Sequence, residues 1–162
     1  MTEVQSREMP VKPSGSRAFY SATVAEFLVA ETNAIVGQLS SRQVAFHQSA
    51  EAEQIRAWER EIEILREVLK SGEETFSSWR LLIEMPLLRL GKRLDAVLVS
   101  GDVVAVIEFK IGSNSYDSSS RLQTERYAQC LRDFHEASQQ RFIVPILCAE
   151  KAEPKPIRAV PV

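Results

Sequence analysis

Residue types that define several classes of protein are scarce in this sequence of 162 residues. It has only two cysteines, Cys130 and Cys148, and two histidines. The cysteines form no C-x-x-C motif and lie in apolar stretches, which argues against a disulfide framework and against a zinc site. We therefore interpret both as thiols of the core.

Long apolar runs and a dominant charge are also missing. No stretch approaches the roughly 20 apolar residues that span a bilayer, and no basic segment followed by an apolar run opens the chain. We expect a cytoplasmic protein with no membrane partner. The net charge of −2 gives no general attraction to nucleic acid. Such contact would need a local basic cluster: Arg80, Arg89, Lys92 and Arg93, or Arg121, Arg126 and Arg132. Either cluster could equally be a solvated face.

The residues that are present predict one domain. Hydrophobic residues make up 44% of the chain and charged residues 26%, which is typical of a globular protein with one core. Residues 1–17 are rich in Pro, Ser, Gly and charge, and we expect a flexible leader there. Residues 18–150 form the expected domain. Residues 151–162 contain three prolines and are expected to be a tail or a linker to a further region.

The first half of the domain has helical spacing. Residues 22–38 predict a helix capped by Ser21 or Thr23. A second helix is predicted by the apolar stripe Ile55, Trp58, Ile62, Leu65 and Leu69, and it is expected to end at Gly72. The acidic residues Glu59, Glu61, Glu63 and Glu67 lie off this stripe, and most are expected to be solvated.

The second half has the period of strands. Residues 79–86 predict a strand ended by Pro86, and LDAVLV and VVAVIEF follow as two more, joined at Ser100-Gly101-Asp102. A helix is expected over residues 119–137, capped from SYDSSS, and a last buried strand over residues 141–149. The expected fold is therefore α/β (α+β): a mixed sheet flanked by helices.

Three charged residues interrupt the apolar strands around the turn. A two-residue type II′ turn with Gly101 first places Ser100 opposite Val103. Counting back along both strands then places Asp95 opposite Glu108, with Cβ atoms about 4.5 to 5.5 Å apart, and Lys110 on the same face.

Two neighbouring carboxylates need a positive partner, since like charges opposite each other destabilise a sheet. Lys110 alone would make a buried salt-bridge network with no chemical role. Alternatively, the carboxylates bind Mg²⁺ or Mn²⁺, which prefer oxygen ligands and keep some water. A metal ion would polarise a phosphate, and Lys110 would orient water or stabilise charge on the phosphorus.

These residues resemble the active-site motif of the PD-(D/E)XK nuclease superfamily. Asp95, followed by Glu108-Phe109-Lys110 at the end of the next strand, is similar to its aspartate and E-x-K elements. The resemblance implies a restriction-endonuclease-like αβββαβ core with an extra N-terminal helix. It implies Asp95 and Glu108 as metal ligands and Lys110 as the catalytic lysine. Leu94 stands where the literal motif has proline.

Two further matches extend this resemblance. Gln123 and Tyr127 are similar to the Q-x-x-x-Y pattern of the RecB-like branch, in which the glutamine orders the site and the tyrosine meets nucleic acid. Glu84 is a third candidate metal ligand, although exposure on an edge strand is the interpretation we prefer from sequence. Arg93 and Arg121 are the candidate nucleic-acid-binding cations.

Longer stretches resemble the N-terminal nuclease-like region of bacterial proteins that continue into a Schlafen-type helicase domain, among them QIRAWEREIEILREVL, IEMPLLRLGKRLDAVLV and RDFHEASQQRFIVPIL. This resemblance implies a helicase partner in cis or in trans, and a chain that is either part of a longer protein or a free-standing relative. No G-x-x-x-x-G-K-[S/T] motor motif occurs in the sequence. A homodimer is also expected to be accessible, because duplex-cutting nucleases of this fold often pair two active sites.

The leading hypothesis is a metal-dependent nuclease acting on nucleic acid, with DNA favoured over RNA as the substrate, in DNA repair, recombination or defence against phage or foreign DNA. The alternative is a catalytically inactive module of the same fold that binds nucleic acid or assembles with a helicase.

Overall fold

The computed structural model describes residues 17–45 and 50–155. Residues 1–16 of the expected leader and residues 156–162 of the expected tail lie outside this part of the chain. Within it, no helix combines the length and the apolar character needed to cross a membrane.

A five-stranded mixed sheet forms the centre of the molecule. Its strands are β1 (Tyr20–Thr23), β2 (Arg80–Leu87), β3 (Lys92–Val99), β4 (Val103–Lys110) and β5 (Phe142–Ala149), and they lie side by side in chain order. The pairs β1–β2, β2–β3 and β3–β4 are antiparallel, whereas β5 runs parallel to β4. The expected α+β class with a mixed sheet is confirmed.

Helices cover both faces of this sheet. The helices are α1 (Val24–Val29), α2 (Thr32–Ala45), α3 (Ala52–Ser71), α4 (Glu73–Phe76) and α5 (Ser118–Phe134), followed by a short 3₁₀ turn at Glu136–Ser138. One apolar core lies between the sheet and α1, α2 and α3. A second, smaller core lies between the opposite face and α5. We call these the α3 side and the α5 side.

The N-terminal part differs from the single helix expected over residues 22–38. The chain first forms the edge strand β1, then α1, and then breaks at Ala30 before α2 begins. Thr23 ends the strand and caps α1, and Glu26 bonds back to it. Arg66 of α3 holds the break, donating hydrogen bonds to the Ala30 carbonyl oxygen and to the Thr32 hydroxyl.

The helix α3 is confirmed almost as expected. Trp58, Ile62, Leu65 and Leu69 are buried, and Gly72 caps its end. Most of the acidic residues of this helix were expected to be solvated; Glu63 and Glu67 are exposed, whereas Glu61 is buried, at 7% exposed.

The helix α5 is also close to its expected range. Asp117 is its N-cap, and its side chain accepts a hydrogen bond from the Ser120 backbone N–H at 2.8 Å. Hydrogen bonds from the hydroxyls of Ser119 and Ser120 hold the pKa of Asp117 well below its usual value.

Two strand expectations need correction. Pro86 does not end β2 but lies within it, paired with Arg93. This is tolerated because β1 covers β2 only along residues 80–83, so that β2 is an edge at Pro86. The strand β5 is not buried: it is the other edge of the sheet, most of its residues are half-buried, and Phe142 is 76% exposed.

The pairing of β3 with β4 has the predicted register. The Ser100 N–H donates to the Val103 carbonyl oxygen at 2.9 Å, and the register continues to Ala96 opposite Ile107. The predicted type II′ turn is wrong, because Gly101 does not adopt a positive φ. The Ser100 hydroxyl instead accepts a hydrogen bond from the Val103 N–H at 3.1 Å.

Candidate active site

The sheet opens where the charged residues begin. The last paired residues of β3 and β4 are Ala96 and Ile107. Asp95 and Glu108 are the next residues on each strand, and no backbone pairing joins them. Instead, the Asp95 Oδ2 atom accepts a hydrogen bond from the Phe109 N–H at 2.8 Å. Beyond this point β3 pairs only with β2 and β4 only with β5, so the strands form a fork with the carboxylates at its base.

Two strands change face at the base of this fork. In β2, Ile83 belongs to the core of the α3 side, whereas Leu87 belongs to the core of the α5 side. In β3, Ala96 belongs to the core of the α3 side, whereas Leu94 belongs to the core of the α5 side. Residues two apart normally share a face, so the backbone is rotated in between. In β2 this rotation occurs at Glu84, whose φ is 54°. This left-handed conformation costs a non-glycine residue about 1 kcal/mol or more.

The Glu84 side chain is buried and fully engaged. It is 4% exposed, which overturns the expectation of an exposed edge residue: the pairing with β1 ends at Ile83, and the Glu84 side chain contacts Trp58 and Arg93. Its Oε1 atom accepts a hydrogen bond from the Trp58 Nε1 atom at 2.8 Å, and its Oε2 atom accepts one from the Arg93 Nε atom at 2.5 Å. These bonds stabilise the strained backbone and pair the Glu84 charge with Arg93.

Asp95 is held in an environment that opposes its charge. Burial, and then the negative charge of Glu108, raises the pKa of Asp95 from 3.8 to about 7. The hydrogen bond from Phe109 acts in the opposite direction. With the described residues Asp95 forms no ion pair.

A hydrogen-bonded group on the α5 side contains the other predicted catalytic residues. The Lys110 Nζ atom lies 3.0 Å from the Glu108 Oε1 atom and 3.5 Å from the Gln123 Oε1 atom. The Gln123 Nε2 atom donates to Glu108 Oε1 at 2.9 Å and to the Tyr127 hydroxyl oxygen at 2.8 Å. The structure therefore brings Glu108, Lys110, Gln123 and Tyr127 together. Tyr127 is 6% exposed and packs in the core, so its position suits holding Gln123 rather than meeting nucleic acid.

Glu61 is a fourth carboxylate that the sequence analysis missed. Burial raises its pKa from 4.5 to about 9, and the charges of Asp95, Glu84 and Glu108 add to this effect. The sequence did contain a signal. Glu61 lies three residues after Trp58 and four before Leu65, so a wider apolar stripe includes it. An acidic residue at such a position faces the sheet.

The predicted basic clusters are only partly assembled. Arg80 lies at the opposite end of β2 from Lys92 and Arg93. Arg93 pairs with Glu84, and its guanidinium lies 5.0 Å from the centre of the Phe19 ring. Arg121 is exposed near the start of α5. An open cleft of about 270 Å³ runs beside the acids, lined by Gln54, Glu84, Gly91, Lys92, Arg93 and Asp95.

The chemistry of these residues fits a divalent cation. The Glu108 Oε2 atom is buried and has no hydrogen-bond partner in the described part of the chain. A buried carboxylate oxygen without a partner is costly unless a cation meets it. The protein alone does not supply a complete set of metal ligands, since no three His, Cys, Asp or Glu side chains among the described residues are arranged to hold a metal ion. Asp95 and Glu108 are the residues with oxygens suited to this role.

Comparisons of the chain with protein-family models, with curated proteins and with solved structures gave no match.

Proposed function

We propose that this chain is a metal-dependent nuclease that hydrolyses phosphodiester bonds in DNA, with its active site at the fork between β3 and β4. The observation that carries this proposal is the grouping at one opening of the sheet: Asp95, Glu108 with a partnerless buried oxygen, and the Lys110 ammonium. This combination suits phosphoryl chemistry better than it suits stability.

Each residue has a distinct part in the proposed reaction. Asp95 and Glu108 would hold Mg²⁺ or Mn²⁺, which supplies Lewis-acid polarisation of the phosphate and a more acidic water. Lys110 places its positive charge where the phosphoryl oxygens gain negative charge in the transition state. Gln123 fixes both partners, since it bonds to Glu108 and lies within reach of Lys110. Tyr127 in turn fixes the Gln123 amide.

The restriction-endonuclease-like core belongs to this proposal. Its support is the order of elements from α3 to β5: a helix, the antiparallel strands β2, β3 and β4, the helix α5 and the parallel strand β5. This is the order that the resemblance to PD-(D/E)XK nucleases implies.

The test is cleavage of labelled single-stranded DNA, duplex DNA and RNA in Mg²⁺, in Mn²⁺ and in EDTA. We expect metal-dependent DNA cleavage that falls by about 10²- to 10³-fold in Lys110→Ala, because one preorganised charge at the transition state is lost. Asp95→Ala should be at least as impaired. Lys70→Ala, which removes an exposed lysine of α3, is the matched control. Cleavage that persists in EDTA or in Asp95→Ala would contradict the proposal.

One observation favours a second candidate, a nucleic-acid-binding or helicase-associated module without catalysis. Both oxygens of Glu84 already accept hydrogen bonds, from Trp58 and Arg93, so a metal ion would compete with these donors for the third candidate ligand. This module would bind DNA in the same assay and cut none of the substrates with either metal.

A further inference from the structure

The hairpin between β2 and β3 projects past the active-site fork. Beyond Glu84 and Asp95 its two strands pair with each other through Met85–Leu94, Pro86–Arg93 and Leu87–Lys92. No pairing with β1 or β4 accompanies these residues. We call the segment from Met85 to Leu94 the hairpin arm. It forms one side of the fork, and β4 with β5 forms the other.

The tip of the hairpin arm exposes apolar side chains between cations. Leu88 is 66% exposed and Leu90 46%. Arg89 lies between them, and Lys92 follows after the turn at Gly91, whose φ is 59°. Both cations are exposed. A solvated turn normally carries polar residues, so two exposed leucines beside two cations suggest a surface that another molecule covers.

This tip is continuous with the proposed active site. Gly91, Lys92 and Arg93 line the same cleft as Asp95. The tip is also held in place, because the Arg89 guanidinium lies 4.2 Å from the centre of the Phe134 ring at the end of α5. A partner bound over the tip therefore also reaches the acids.

We propose that the hairpin tip, residues 88–92, is a wedge that contacts nucleic acid. Leu88 and Leu90 insert against the bases next to the phosphate in the fork, and Arg89 and Lys92 contact the flanking phosphates. Apolar residues that enter a base step, supported by basic residues on the backbone, are an established way of unstacking a duplex. The alternating leucines and cations fit this partner better than an apolar protein surface. This inference rests on the proposed function, since it assigns the substrate of the same site.

Base unstacking can be measured without cleavage. All proteins in the test carry Lys110→Ala so that the DNA stays intact, and each is added to short duplexes with 2-aminopurine at successive positions. The first protein carries no other change. The second also carries Leu88→Ser and Leu90→Ser. A third carries Val68→Ser, which removes an exposed apolar residue of α3. Binding of the same duplexes is followed by anisotropy.

We expect the first and third proteins to raise 2-aminopurine fluorescence at one or two adjacent positions. The double leucine variant should lose this rise and bind duplex about tenfold more weakly, because two apolar side chains that would be buried against the bases are removed. An unchanged fluorescence rise in the double variant, or no rise with any protein, would overturn the wedge. A protein partner for the leucines would produce the first of these results. Cleavage by the unmodified chain reports on the nuclease proposal separately, so either proposal can fail alone.

Discussion

The two ends of the β3–β4 pair share the same neighbouring strands but differ in their chemistry. At the turn end, residues 96–99 and 104–107 are all apolar, in continuous register, and most of them are buried. At the open end, Glu84, Asp95 and Glu108 follow each other across three strands, and Glu61 approaches from α3. The first end has the composition of a stabilising core, whereas the second places like charges together.

This difference is the reason for placing the proposed active site at the open end. The open end combines a strained backbone at Glu84, raised carboxyl pKa values and a buried oxygen without a partner. Each of these features reduces stability, and they occur together at one place in the described structure. Features of this kind cluster at sites of binding and catalysis. The turn end has none of these features.

The largest effect on stability is expected from Leu81→Ala, at the turn end. Leu81 is fully buried and lies opposite Leu98. Its truncation should lower the free energy of unfolding by about 2–5 kcal/mol through lost burial and a cavity. Urea unfolding measures this change. The molecules that remain folded should cleave DNA at the normal rate. If they cleave it more slowly, the turn end also contributes to activity, and the contrast between the two ends is wrong.

At the open end, Glu61→Gln should raise the free energy of unfolding, whereas Leu81→Ala at the turn end lowers it. Because the folded-state pKa of Glu61 is raised to about 9, the folded protein holds a proton that the unfolded chain releases above its usual pKa of 4.5. In EDTA, the stability of the native sequence should therefore fall as pH rises from about 5 to 9. The neutral side chain of Glu61→Gln removes this cost and should raise the free energy of unfolding by up to about 3 kcal/mol at pH 7.

The measurement is urea unfolding in EDTA at a series of pH values. Glu67→Gln is the control, since Glu67 is an exposed carboxylate of the same helix. If Glu61→Gln is no more stable than the native sequence at pH 8, Glu61 does not oppose folding.

Metal binding should reduce the repulsion between the carboxylates at the open end and so stabilise the folded protein. A ligand that binds only the folded state stabilises it by about 1–3 kcal/mol at tens to a hundred times its Kd. We expect Mn²⁺ and Mg²⁺ to raise the melting temperature of the native sequence but not that of Glu108→Gln, which loses the buried carboxylate charge. Equal shifts in both proteins would place the metal elsewhere. No shift in either would favour the simple salt-bridge network.

The smallest change is expected from Tyr127→Phe. This variant removes the hydroxyl that accepts a hydrogen bond from Gln123 in a buried setting, at a cost of about 1 kcal/mol. Cleavage should fall much less than in Lys110→Ala, because Gln123 keeps its bond to Glu108. Kinetics and urea unfolding of the same preparation separate the two effects. A loss as large as that of Lys110→Ala would make Tyr127 part of the chemistry.

The parts of this structure that follow local rules could be predicted from sequence. The stripe from Trp58 to Leu69 predicted α3 because helix burial repeats every three or four residues. The position of Gly101-Asp102 predicted the β3–β4 register, although the turn type was wrong, because a two-residue loop at this position places the same residues opposite each other.

The remaining features depend on contacts between distant residues. The left-handed conformation of Glu84 is supported by Trp58 and Arg93, neither of which is a sequence neighbour. The break between α1 and α2 is held by Arg66 from α3. The strand β1 has only four residues and merges with a helix cap, so its pattern is too short to separate from that of the helix. Local periodicity contains none of this information.

The change of face at Glu84 has a mechanical consequence. Beyond it, Leu87 and Leu94 of the hairpin arm pack with Tyr127 and Leu131 of α5. The arm is therefore attached to α5 at its base and, through Arg89 and Phe134, at its tip. The arm and Gln123 are thus held by the same helix, so the hairpin tip and the amide that bonds to Glu108 keep a fixed spacing. Arg93 links the same arm to Glu84 and Phe19 on the other side of the sheet.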